Sequence, residues 1–75
     1  MTDDPRTTAI DLCRQINRSA AIKYAEQGVP AEQIATAAIY SAFDIAEGVT
    51  GNGANAIEFL RTHLDQMEAR IMETM

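Results

Sequence analysis

The stretch Gly51-Asn52-Gly53-Ala54-Asn55-Ala56 fits the G-x-G-x-x-G/A spacing of a turn that holds a pyrophosphate. In such a turn the glycines let backbone N–H groups approach the phosphates, and a helix N-terminus adds its partial positive charge. The chemistry needs a strand before the glycines to aim those N–H groups. Here the residues ahead of the turn, Ala31 to Ala46, have helical period, and no β-branched alternation occurs along the chain. The same residues are read more simply. Gly48 stops a helix, 50–53 form the loop, and Asn52 or Asn55 caps the next helix.

Three other groups have the right chemistry and the wrong company. His63 is the one histidine. A helical metal site wants further ligands three or four residues away. Those positions hold Phe59, Leu60, Gln66 and Met67, and Glu58 is five away on another face. Asp44 and Glu47 are three apart, but paired carboxylates do acid–base work only where burial or crowding separates their pKa values. Both fall on the polar side of their helix, where a solvated face accounts for them. Cys13 falls on the apolar side of the first helix and is expected to be a small buried hydrophobe. No His, Asn or Asp joins it in a nucleophilic constellation. No catalytic residue, metal or cofactor is assigned.

Three helices carry these groups. The first is expected over 5–27. Asp4 can cap it, Pro5 suits its first position, and Asp3 and Asp4 suit the positive end of its dipole. Ala9, Leu12, Cys13, Ile16, Ala20 and Tyr24 recur at steps of three and four. Gly28, Val29 and Pro30 form the stop. The second helix is expected over 31–47. Ala35, Ala38, Ala42 and Ala46 form a shallow valley, flanked by Ile34 and Ile45 on one side and by Ile39 and Phe43 on the other. Small residues there permit close helix approach. The third is expected over 54–73. Ile57, Leu60, Leu64, Met67 and Ile71 are spaced 3, 4, 3, 4, which is a heptad seam of two heptads. Ile22, Phe59 and Met72 lie off the main stripes.

The implied fold is all-α and a single domain over 1–75. The architecture is either an up-down-up three-helix bundle, since short connections imply antiparallel neighbours, or helical hairpins that dimerise into a larger bundle. Composition favours the second. Thirteen of the 35 apolar residues are alanine, while ordering 75 residues costs on the order of 110 kcal/mol at about 1.5 each. Domains this small usually add disulfides, a metal or another subunit. A lone cysteine excludes an intrachain disulfide, so a second copy is the remaining device.

Net charge is −5. Residues 28–53 carry three acidic side chains and no basic one. Without a basic patch, nucleic acid is not an expected partner. No apolar run reaches the length of a membrane span and no signal peptide is recognised, so a cytoplasmic protein is expected, in keeping with an unpaired cysteine.

Two stretches resemble known modules. KYAEQGVPAEQIATA resembles the first two helices of a helix-turn-helix module, which implies a third, recognition helix after another tight turn. Instead the second helix runs on through AIYSAFDIAE without Lys or Arg. GNGANAIEFL resembles the last helix of a ubiquitin-associated domain, whose binding loop is Met-Gly-Phe/Tyr. The corresponding loop here is Gln27-Gly28-Val29, and the second helix is about twice as long as that family's. Each resemblance covers under half the chain, and no family is assigned on either.

The expected function is non-catalytic protein–protein contact by a homodimer. The interface is expected to use Ile34, Ile39, Phe43, Leu60, Leu64 and Met67, with Ala38 and Ala42 permitting close approach. The alternatives are a regulatory adaptor for another protein and a helical protein that binds a small molecule or metal.

Overall fold

The computed structural model describes residues 4–74. The fold is all-α, with α1 over Pro5–Glu26, α2 over Ala31–Thr50 and α3 over Gly53–Glu73. No strand occurs among the described residues. The described residues fall into two compact units, divided between Ala35 and Thr36 inside the continuous helix α2.

The first unit holds α1, its stop and the first turn of α2. Asp4 is the N-cap of α1, its side chain accepting from the Arg6 N–H at 3.0 Å, and Pro5 occupies the first helical position. There the absent proline N–H costs nothing, because the first N–H groups of a helix have no intrahelical partner. Asp3 lies outside the described residues. The C-terminus closes as a Schellman motif. The Val29 N–H donates to the Tyr24 carbonyl at 3.1 Å and the Gly28 N–H to the Ala25 carbonyl at 3.0 Å. Gly28 makes this possible at φ +90, a region where a side chain would be strained. The Pro30 carbonyl then accepts from the Gln33 and Ile34 N–H groups and opens α2. Partial shielding in this unit falls on Ala20, Ala21 and Ile34, and α1 has no buried residue.

The second unit holds the rest of α2, the turn and α3. The end of α2 differs from the sequence expectation. Gly48 does not stop the helix, which continues through it to Thr50. Gly51, at φ +95, makes the stop, and its N–H donates to the Glu47 carbonyl at 2.8 Å. The Thr50 hydroxyl donates back to the Ala46 carbonyl at 2.8 Å and so satisfies one of the last orphan acceptors. Glycine costs a helix only about 1 kcal/mol, so the first of two nearby glycines need not end it. The loop is therefore two residues, Gly51 and Asn52. Asn52 caps α3, its side-chain oxygen accepting from the Asn55 N–H at 2.8 Å.

The core of this unit is small. Ala46 and Ala56 are the two buried apolar residues among those described, and neither is bulky. Phe43, Thr50, Gly53 and Leu60 are half-buried around them. A Cβ placed on Gly53 would lie 3.4 Å from Phe43 Cζ, so α2 and α3 come within ordinary contact there. Burial is thus concentrated near the turn and falls away along both helices.

Candidate functional site

The features read as chemistry take their places first. Residues 51–56 cross from a helix stop into a helix start, with α2 rather than a strand before them. The Asn52 side chain occupies the Asn55 N–H that a bound phosphate would need. The stretch is a helix–loop–helix junction, as its plainer reading holds. His63 is exposed, with Nδ1 2.8 Å from the Phe59 carbonyl and its ring centroid 4.3 Å from that of Phe59. Both contacts are made within one turn of α3. Among the described residues no group of three His, Cys, Asp or Glu could hold a metal ion. Asp44 and Glu47 are exposed. Cys13 is exposed too, which corrects the expectation of a buried thiol. Helical period sets which neighbours a side chain shares a face with, and on this stripe of α1 the partial shielding reaches Ala20 and not Cys13. The depressions along α1, lined by residues such as Asp11, Leu12 and Gln15, are formed by that one helix.

What stands out is apolar surface. On α3 the seam begins near the turn, where Leu60 is half-buried, and then emerges into solvent. Leu64, Met67 and Ile71 are 61%, 56% and 58% exposed. On α2, Phe43 and Ile34 are half-buried, while Ile39, Ala38 and Ala42 are exposed. The alanine valley is covered only at its end, by the burial of Ala46. Of the eight positions expected at an interface, Ile34, Phe43 and Leu60 are therefore partly shielded within the chain. Ala38, Ile39, Ala42, Leu64 and Met67 are open.

One apolar position was hidden by the misplaced helix end. With α2 extended to Thr50, Val49 follows Ile45 by four residues and joins the Ile34–Ala38–Ile45 side of the helix. Ile45 and Val49 are exposed. The signal was present in sequence as the i, i+4 step, and only the assumed stop at Gly48 concealed it.

Charged groups border these faces sparsely. Arg61 and Glu58 pair at 3.6 Å one turn apart on α3, with both side chains about 70% exposed. Such a pair contributes roughly 0.3–0.5 kcal/mol and is weakened by salt. No helix of the described residues is long and apolar enough to cross a membrane. The α2 surface beyond the 31–35 turn has no second break, so the tight turn that a helix-turn-helix module requires is missing at that place. Comparison with known protein families finds no match, and comparison with curated proteins and with solved structures finds none either.

Proposed function

We propose that this protein acts through protein–protein contact, with no catalytic role of its own, and that its first partner is a second copy of itself. One observation supports the reading above all others. Bulky side chains that share faces of α2 and α3 are more than half exposed, Ile39, Ile45, Leu64, Met67 and Ile71 among them, while the buried core consists of two alanines. Fully burying one such side chain is worth about 1.5–3 kcal/mol, so each leaves roughly 1 kcal/mol or more unrealised in a single chain. Exposed bulky residues that recur along one stripe, as Leu64, Met67 and Ile71 do on α3, fit an interface. Partner burial also supplies what an alanine-rich domain of this size lacks. A homodimer is the simplest closed assembly that does so.

Light scattering over a dilution series tests this. The expected mass is twice the 8.2 kDa of the chain, falling toward one chain on dilution. Leu64→Lys is the matching variant. Leu64 is exposed in the single chain, so helix content is expected to change little, whereas a lysine desolvated at an interface weakens the dimer at least about tenfold. A wild-type chain that is monomeric at every concentration refutes self-association. If another protein instead co-purifies with that monomer from native extract, the adaptor reading takes its place.

A further inference from the structure

If the protein self-associates as proposed, the α3 seam carries the instructions for how. We infer that two copies pair α3 against α3 in antiparallel orientation, with Arg61 of each copy facing the partner's Glu68. Two independent observations point there.

The first is where the seam is free. Ala56, at the start of α3, is fully buried by its own chain, and Leu60 is half-buried, whereas Leu64, Met67 and Ile71 are open. Exposure is greatest on the C-terminal part of the seam, since at its beginning Ile57 is 39% exposed and Leu60 half-buried. An antiparallel pair centred between Leu64 and Met67 brings the most exposed seam residues, Leu64, Met67 and Ile71, into the overlap and takes in the remaining exposed part of Leu60.

The second is charge. In the heptad frame of Ile57, Leu60, Leu64, Met67 and Ile71, Arg61 and Glu68 occupy the same edge of the seam. They are seven residues apart, which is about 10.5 Å along the axis. The opposite edge carries His63 and Arg70. Under an antiparallel two-fold each edge faces its own counterpart. One charge on that edge is positive and one negative, so the edge is complementary to itself. The pairing forms twice, once on each side of the two-fold.

The same pairing fixes the register. Leu64 meets the partner's Met67, and Leu60 meets the partner's Ile71. Sliding the pair by one heptad toward the turn brings Arg61 against the partner's Arg61 and exchanges Ile71 for the less exposed Ile57 in the overlap. A parallel arrangement brings Arg61 toward the partner's Ala56 and Glu68 toward the partner's His63. Neither alternative gives Arg61 a counter-ion across the seam. The existing partner of Arg61, Glu58, is an exposed neighbour on the same helix, and that contact is weak enough to exchange.

A charge swap is the test, read as the dimer dissociation constant by sedimentation or light scattering with circular dichroism on each variant. Arg61→Glu and Glu68→Arg each replace two attractive cross-pairs by two repulsive ones. Each is expected to weaken the dimer about tenfold at low salt. The double variant Arg61→Glu/Glu68→Arg restores both pairs with signs reversed, and its dissociation constant is expected to return to within about threefold of wild type. Within one helix both positions neighbour Asp65, so Glu68→Arg is the discriminating single: there it replaces a repulsion from Asp65 by an attraction, whereas across the seam it weakens the dimer. Singles that leave the dimer unchanged overturn the arrangement, and so does a double variant that stays as weak as the singles. In either case a wild-type dimer leaves self-association standing, while a wild-type monomer removes both conclusions.

Discussion

Replacing Gly48 and Gly51 in turn by alanine should move stability in opposite directions. Gly48 lies inside α2 with nothing within 4 Å of an added Cβ, and its φ is not positive. An alanine there loses no contact and reduces the conformational freedom of the unfolded chain. The gain is about 0.5–1 kcal/mol. Gly51 also has open space around its Cβ position, but its φ is +95. There the alanine meets its own backbone rather than a neighbour, and the cost is about 1–2 kcal/mol. For a domain of this size 1 kcal/mol corresponds to roughly 4–8 °C in Tm. Gly48→Ala should therefore raise Tm by about 2–8 °C, and Gly51→Ala should lower it by about 4–16 °C. Thermal unfolding followed by far-ultraviolet circular dichroism reads both. Equal protein concentrations are needed, because association makes Tm concentration-dependent. A Gly48→Ala protein that melts lower than wild type refutes the placement of the helix stop at Gly51 and returns it to Gly48.

Ala56→Leu should destabilise by about 1–3 kcal/mol in urea unfolding, because the residue is fully buried and three added carbons have no room. A neutral result there means that α2 and α3 do not close over Ala56. Asn52→Ala should cost about 1 kcal/mol through loss of the cap on the Asn55 N–H, with Asn52→Asp retaining most of the stability. Equal losses for the two variants would assign the effect to something other than the cap.

Much of the fold is legible residue by residue where local chemistry decides it. Asp4-Pro5 opens α1 because a carboxylate cap and a donor-free first residue both satisfy a helix start. Gly28-Val29-Pro30 closes it because glycine accepts the left-handed turn and proline cannot continue. Asn52 starts α3 for the same kind of reason. The end of α2 was less legible, since Gly48 and Gly51 compete and the cost of a helical glycine is small enough for the helix to run on through Val49 and Thr50. Exposure was the least legible quantity. Periodicity places Leu64 and Met67 on one stripe with Leu60, yet it does not say what lies over the stripe. Leu60 is shielded by its own chain and the other two are not. Cys13 illustrates the same gap, being apolar by position and exposed in fact. The 51–56 turn, by contrast, was legible as a helix junction, because helical period and not strand alternation precedes it and α2 stands there.

The two buried alanines are ten residues apart in sequence, as are Phe43 and Gly53, which come together at the turn. Contacts this local are cheap to form, since closing a ten-residue loop takes about 10–100 ns. The turn end of α2 and α3 is thus the natural nucleus of folding, and helix extends outward from it in both directions. Low contact order of this kind goes with folding in microseconds to milliseconds. It also grades the unit internally. Amide hydrogens around Ala46 and Ala56 should exchange most slowly in this unit, and those toward Ile71 should exchange fastest until a partner covers them.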